Sequence, residues 1–295
     1  MLTIASVGRY HFFEQARALE QAGGLDCLAC DYPRRRLRAA GISPEHVCPL
    51  PWLAVYRLGG LRRWCFEQAG GWLSRCAPGV WLKINSGFAL EALRRRRRVW
   101  VDHGSLHERF AGRLYREEAA RAALPEDSFT GNFRQDWLLE RQDEEFARAD
   151  GVVVLSELAK RSLVAEGVAA SKIRVSWPGV DAERFRPVSP DRVEKRRPFR
   201  VVQVSSLTPA KGLHVLLDAW RRLGWQDAEL WLVGAGEVPP GLPASVVAQG
   251  PVPQTALGEL ISRCDVFVLP SIADGFGLVV LQAMAAGLPV VVSDQ

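Results

Sequence analysis

The chain has 295 residues, 48% hydrophobic and 24% charged, which suits roughly two ordinary globular domains and excludes a disordered polymer. It holds no run of about 18 uncharged apolar residues, so no transmembrane helix is expected. The net charge is +5, arginine supplies nearly all of the positive side, and arginine clusters lie at 34–36, 62–63 and 94–98; these read either as solvated helix ends or as a stripe meeting nucleic acid, anionic lipid or a phosphorylated substrate, and without an RNA-module aromatic signature or a DNA-binding helix pair no specific nucleic-acid partner is expected.

In chain order, Leu2–Val7 reads as a strand rather than a secretion signal, because it lacks a basic start and a long apolar stretch. Phe12–Gln21 reads as a helix and Leu25–Ala29 as a strand. Cys27 and Cys30 form a CxxC without the second pair that zinc would want, so the six cysteines read as buried thiols in a reducing cytoplasm and no metal is expected. Residues 50–76 interleave Trp52, Tyr56, Leu61, Trp64, Phe66 and Trp72 with Arg57, Arg62, Arg63 and Arg75, a pattern that fits an amphipathic helix on a sheet or an interfacial membrane-binding stretch. Val99–Val101 is a short apolar run, Glu140–Ala149 a helix, Gly151–Leu155 a buried strand, Glu157–Glu166 a helix and Ile173–Val175 a strand. The proline-rich, charge-dense stretch 186–198 then reads as a linker, dividing a domain 1–187 from a domain 199–295 across residues 188–198. The strand–helix alternation restarts with strands at 199–204, 229–233, 246–248, 266–269 and 290–292 and helices at 213–223, 256–262 and 279–286. Continuous apolar strands separated by helices predict two parallel, doubly wound α/β sheets. The end at Gln295, directly after a strand, predicts an incomplete second domain.

The segment 270–294 carries the most chemistry. Asp274-Gly275-Phe276-Gly277 joins a strand to a helix beginning near Leu278. Glycines there let backbone approach a ligand, and the helix start offers unpaired N–H groups and a positive dipole end, so a diphosphate fits over Gly275–Leu278. Asp274 stands at the mouth of that loop and Gln282 further along the helix, where both address one ligand.

This segment resembles the retaining glycosyltransferases of family 4 (glycosyltransferase group 1), whose hallmark is Glu, seven residues, then Glu, with Gly-Phe-Gly after the first. The spacing is kept here, with Asp274 and Gln282 in place of the two acids. The resemblance implies that Asp274 contacts donor-sugar hydroxyls and Gln282 the ribose diol. A charged hydrogen bond is worth about 1.5–3 kcal/mol against about 0.5–1.5 for a neutral one, so Gln282 weakens donor affinity by about tenfold.

The likeness continues through 204–218, where Lys211 matches the lysine that clamps the donor diphosphate and Ser206 replaces the family's arginine. Leu232-Val-Gly-Ala-Gly-Glu237 is similar to the family's glycine turn, although Gly234-x-Gly236 lacks the third glycine of a dinucleotide fingerprint. Residues 250–255 resemble the segment meeting the base, which puts it near Val252. In the first half, 150–158, 173–187 and Val101-Asp-His-Gly104 also match, so His103 inherits a place beside the donor sugar and Gly8 an approach to phosphate.

The resemblance implies the GT-B fold, two Rossmann-like domains facing across a cleft. It implies hexosyltransferase-like transfer of a sugar from a nucleoside-diphosphate sugar to an acceptor hydroxyl, with retention, in cell-envelope polysaccharide or glycolipid synthesis. Partners would be the nucleotide-sugar donor, a sugar or lipid-linked acceptor and an anionic membrane surface at the cytoplasmic face. No cofactor is expected, and no Asp-x-Asp pair occurs, which favours metal-independent departure of the diphosphate. His103, Lys211 and Asp274 are the catalytic candidates; the donor-binding set is Gly8, Ser206, Lys211, Val252, Asp274, Gly275, Phe276, Gly277, Leu278 and Gln282. The replacements at Ser206 and Gln282 keep open a second reading, a weakened member acting as a nucleotide-sugar-binding or scaffold module.

Overall fold

The computed structural model describes residues 1–7, 11–39, 41–50, 52–53, 63–95, 98–130, 136–187 and 197–294. The chain forms two compact units, one of residues 1–110 with 132–178, the other of residues 111–131 with 179–295. The break at 178/179 precedes the stretch read as a linker. Phe185 explains why: it is 2% exposed and belongs to the core of the second unit.

The first unit is built on strands β1 (Leu2–Ser6), β2 (Leu25–Cys30), β3 (Val47–Pro49), β4 (Trp81–Asn85), β5 (Arg98–His103), β6 (Gly151–Val154) and β7 (Ile173–Val175). They pair in the order β3-β2-β1-β4-β5-β6-β7, all parallel. Helix α1 (Phe12–Gln21) buries Phe12, Phe13 and Ala16 against Ile4, Leu25 and Leu28. Helices α2 (Arg34–Ala39), α3 (Arg63–Cys76), α4 (Leu90–Arg94), the start of α5 (Glu108–Ala122), α7 (Asp136–Arg148) and α8 (Glu157–Ala165) complete this unit, and α6 (Asp127–Thr130) belongs to the other. The sequence pattern misses β3, which has three residues, and β4, whose run is broken by Lys83 and Asn85. Strand order reverses between β1 and β4, and outside the carboxyl ends of strands at such a point α/β sheets take ligands.

The second unit holds β8 (Phe199–Val204), α9 (Leu213–Leu223), β9 (Ala228–Val233), β10 (Val246–Gly250), α10 (Gln254–Ser262), β11 (Val266–Leu269), α11 (Leu278–Ala285) and β12 (Val290–Val292). Its parallel sheet runs β10-β9-β8-β11-β12 and reverses between β8 and β11. Alternation along β8 feeds two cores. Val201 packs with Leu213, Leu217 and Trp220, whereas Val202 and Val204 pack with Phe267, Leu269 and Ala283. The doubly wound α/β expectation therefore holds in each unit. Among the described residues no helix is long and apolar enough to cross a membrane.

The carboxyl ends of the second sheet are packed backbone against backbone. Gly234 has φ +145°, and a Cβ there would lie 1.7 Å from the Ser205 carbonyl oxygen. Gly234→Ala therefore combines glycine-only backbone strain with a hard overlap, each costing roughly 1–3 kcal/mol. Urea unfolding of that variant is expected to show a loss of about 2–6 kcal/mol from the second unit's transition, with that of the first unit unmoved.

Candidate active site

The site of the second unit is assembled by the loops that leave β8, β9 and β11. The Leu207 N–H donates to Ala235 O at 2.8 Å, and Gly234 N–H donates to Gly250 O at 2.9 Å. Gly212, at φ +69°, would meet Pro270 O at 1.8 Å if it carried a Cβ, and Ile272 N–H donates to Ala210 O at 3.0 Å. These contacts draw the turn Pro209–Lys211 onto the segment after β11. As a result Lys211 Nζ lies 2.6 Å from Asp274 Oδ2, with the two side chains 27% and 25% exposed. Two residues separated by 63 positions form one charged pair at a sheet mouth. Gln203, fully buried in β8, donates to the Lys211 carbonyl at 2.9 Å and fixes the backbone beneath it.

Helix α11 starts directly after Gly277. It has no side-chain cap and no acid in its first turn, so no side chain of the helix offsets the positive end of its dipole. Gly275 is buried, Phe276, Gly277 and Leu278 are half-buried, and Leu278 N–H turns back to Phe276 O at 2.9 Å. Gln282 is only 6% exposed, and its Oε1 has no hydrogen-bond partner among the described residues. Ser271 Oγ, on the same strand–loop–helix segment, is also buried without one. Ser206 is exposed in the loop after β8, and Val252 is half-buried just past β10, where it packs on the sheet's core.

A segment outside the sequence-based set backs this pair. Residues 111–131, which include most of α5 and all of α6, belong to the second unit. Tyr115 donates from its hydroxyl to Ala273 O at 3.3 Å. Burial, and then the nearby Asp274 carboxylate, push the Tyr115 phenol up to about 12. His214, in the first turn of α9, lies with Nε2 2.7 Å from Glu118 Oε1, and Phe129 sets its edge against that ring. Ala119, Phe129 and Ala210 close a small core with Tyr115 and Ile272. Helical periodicity carries no sign of this role, because α5 reads as one more charged amphipathic helix.

In the first unit His103 ends β5 and is 2% exposed. Its Nδ1 is 2.9 Å from Ser86 Oγ and its Nε2 3.2 Å from Leu106 O, so both ring nitrogens have partners within the unit. Its neighbour Asp102, on the other face of the sheet, is bonded to His11 and Lys83. Gly8 lies outside the described residues. The cysteines of both units are free, with Cys27, Cys30, Cys65 and Cys264 buried; burial drives the Cys27, Cys30 and Cys264 thiols up to about 12, which leaves them inert.

Two family models match the chain, Glycosyltransferase Family 4 over residues 9–184 and Glycosyl transferases group 1 over residues 198–295. Among curated proteins, the amylovoran biosynthesis glycosyltransferase AmsK of Erwinia amylovora is 30% identical over 167 residues, covering 50% of this chain and 40% of that protein. The putative colanic acid biosynthesis glycosyltransferase WcaL of Escherichia coli K12 is 32% identical over 165 residues, with the same 50% and 40% coverage. The chain thus matches less than half the length of these relatives. Among solved structures, HepE of Anabaena in complex with UDP-glucose superposes with a TM-score of 0.64 at 18% identity, covering 99% of this chain and 80% of that one. Sucrose-phosphate synthase of Thermosynechococcus elongatus gives a TM-score of 0.69 at 19% identity, with 100% and 82% coverage. Both show the same fold, GT-B, in which each doubly wound unit has its counterpart.

The Tyr115–Asp274 proximity is directly measurable. Ultraviolet titration, read as the difference between the protein and its Tyr115→Phe variant, should place Tyr115 near 12, and Asp274→Asn should bring it back toward the ordinary tyrosine value. The sign follows from linkage. A raised acid contributes stability that is fully present below the unfolded tyrosine pKa and is lost as pH rises through the folded value. Alkaline unfolding should therefore be steeper in the wild type than in Tyr115→Phe.

Proposed function

This chain belongs to the family 4, group 1 glycosyltransferases, and from that premise we propose that it transfers a sugar from a nucleoside-diphosphate sugar to an acceptor hydroxyl, retaining the anomeric configuration and using no metal. The observation that carries the reading is the Lys211–Asp274 pair, 2.6 Å apart, in front of the uncapped start of α11. One side of that pair is a cation suited to a diphosphate. The other is a carboxylate suited to sugar hydroxyls. The positive dipole end of α11 adds to the attraction for the anion.

In this reading the diphosphate lies over Gly275–Leu278, with Ser206 as a neutral donor beside it. Gln282 Oε1, buried without a partner, accepts from the ribose diol, and the backbone near Val252 meets the base. As the bond from the anomeric carbon to the diphosphate breaks, the growing negative charge is met by Lys211 and the positive end of the α11 dipole, already in place. The missing Asp-x-Asp pair favours departure without a metal. His103, with both nitrogens engaged, holds the loop ahead of α5 through the Leu106 carbonyl and so shapes the sheet mouth. The polysaccharide-related relatives support a cell-envelope acceptor.

Lys211→Ala should lower kcat by about 10²–10³-fold, the scale of losing one preorganised charge-stabilising donor. Nucleotide release from a panel of UDP-, GDP- and ADP-sugars, with and without envelope lipid extract, measures it; undiminished turnover in that variant would sink the assignment. A second reading, a donor-binding module without turnover, is favoured by the neutral residues Ser206 and Gln282. It predicts calorimetric binding of a nucleoside diphosphate with no release from any sugar donor.

The acceptor side has its own support. Helix α3 exposes Trp64 at 61% and Trp72 at 43%, and Trp52, itself exposed, stacks edge-on to Trp72 with centroids 6.3 Å apart. Arg63 and Arg75 flank them, while Tyr56, Arg57, Leu61 and Arg62 lie outside the described residues. Phe66, in contrast, is buried, stacked on Phe88 and set edge-on to Trp137. Exposed tryptophan beside arginine suits the boundary of an anionic bilayer, and supports a peripheral position at a lipid-linked acceptor. Flotation with phosphatidylglycerol vesicles is expected to recover the protein and to lose at least half of it for the Trp64→Ala/Trp72→Ala double variant. Equal recovery for both proteins would refute the docking face.

A further inference from the structure

Lys211 and Asp274 are held in place through the residues beside them, and one segment does the holding. Residues 111–131 belong to the second unit, together with both loops that carry the pair. On α5, Tyr115, Glu118 and Ala119 stand three and four positions apart and share one face. Tyr115 donates from its hydroxyl to Ala273 O at 3.3 Å, one residue before Asp274. Glu118 Oε1 lies 2.7 Å from His214 Nε2, three residues after Lys211. Ala119 and Phe129 of α6 pack with Ala210, the residue before Lys211, and Ile272 closes on the same group. Phe129 also sets its edge against the His214 ring at 5.8 Å between centroids. Lys211 is thus gripped on both sides, at 210 and 214, and Asp274 on its near side, at 272 and 273.

The grip is polar where packing alone would join the elements. Glu118 is 7% exposed. Burial pushes its carboxyl up, but hydrogen bonds from His214 and then Arg121 outweigh burial and hold it below its ordinary value. Its second oxygen accepts from Arg121 Nε at 2.7 Å, so both oxygens are engaged. An ionised carboxylate only accepts, so His214 Nε2 carries the hydrogen of the other bond. A buried charge costs desolvation that an apolar residue would avoid. What it adds is direction: a hydrogen bond fixes distance and angle, whereas apolar attraction has no preferred direction.

We propose that Glu118 and Tyr115 are positioning residues of the transfer reaction, which set where Lys211 and Asp274 stand relative to each other. The proposal deepens the transferase reading above and rests on it. A partly exposed ion pair between flexible side chains fixes little geometry by itself. The α5 face spans both loops and holds their backbones at one spacing. Lys211 then meets the diphosphate, and Asp274 the sugar hydroxyls, at a set distance from each other. Glu118 acts through His214 on the lysine turn, and Tyr115 through the Ala273 carbonyl on the aspartate loop.

Steady-state nucleotide release from the same donor panel tests it on the full chain. Glu118→Leu should lower kcat by about 10–10²-fold, the scale of a small misplacement at a reacting centre. Glu118→Gln still accepts from His214 and should keep kcat within about threefold of wild type. In the Lys211→Ala background Glu118→Leu should change kcat by less than about twofold, because the group it positions is gone. Tyr115→Phe should show the same pattern against Asp274→Ala. His214→Leu breaks the same bond from the other side and carries the test if Glu118→Leu does not fold. A contact that only stabilises the fold gives equal losses with and without Lys211, and that result overturns the positioning role. So does a wild-type kcat in Glu118→Leu, or a Glu118→Gln as impaired as Glu118→Leu. A wild-type protein that releases no nucleotide from any donor overturns the transferase reading and the proposal with it.

Discussion

The second unit depends on how closely its loop backbones approach one another at the carboxyl ends of the sheet. Gly234 lies against the Ser205 carbonyl, Gly236 against Leu207 and Gly212 against the Pro270 carbonyl, at separations where any Cβ would overlap. With side chains at these positions the loops after β8, β9 and β11 would stand apart. Lys211 and Asp274 would then be separate surface charges, free to choose solvent. Removing three methyl-sized groups lets the loops lock together through Leu207 N–H to Ala235 O and Ile272 N–H to Ala210 O. The functional geometry is thus set by what the chain omits, and the charged groups are carried into place by a rigid backbone frame.

That frame was legible in part. The strand of Phe199–Val204, the helix of Leu213–Leu223 and the strand of Val266–Leu269 stand where apolar periodicity puts them, because each buries one continuous apolar face. The Asp274-Gly-Phe-Gly277 loop was legible because its glycines and the apolar helix after it break the surrounding pattern. What the one-dimensional pattern hides is any pairing across the fold. Nothing in the sequence says that Lys211 meets Asp274, since only the register of β8 beside β11 brings them together. Tyr115, Glu118 and His214 are hidden for the same reason: the first two sit on an ordinary charged helix, 96 residues before the histidine that Glu118 meets.

The first unit shows a different kind of concealment. Glu145 is fully buried, and its carboxylate accepts from the backbone N–H groups of Gly87, Ala89 and Leu90 at 2.6, 2.8 and 3.0 Å, capping α4 from a distant helix. Arg141 lies on the same face of α7 and binds the Gly87 carbonyl and Glu91. From sequence alone, α7 is a surface helix rich in acid and base. In the fold two of those charges are structural, and they anchor the turn that leads from β4 into α4. The polar residues that break the β4 pattern, Lys83 and Asn85, are also the ones its surroundings need: Asn85 accepts from Val7 N–H at 3.2 Å, and Lys83 holds Asp102.

Each unit therefore carries a lysine–aspartate pair, one within its sheet and one in the loops beyond it, and the two differ in burial. Lys83 and Asp102 are 9% and 1% exposed, so neither can regain water without opening the sheet. In such surroundings the attraction is strong and the cost of losing a partner is larger still, so that pair is fixed. Lys211 and Asp274 are about a quarter exposed, at 27% and 25%. Water and an arriving anion compete there, and the net worth of such a pair falls to roughly 0–1 kcal/mol. In the proposed reading, Lys211 exchanges a carboxylate for a diphosphate at little cost, and the exchange releases Asp274 to hydroxyl groups at the same moment. A cation that was already committed to a buried partner could not make that trade. The shallow pair is suited to ligand exchange, and the deep pair to holding one protonation pattern.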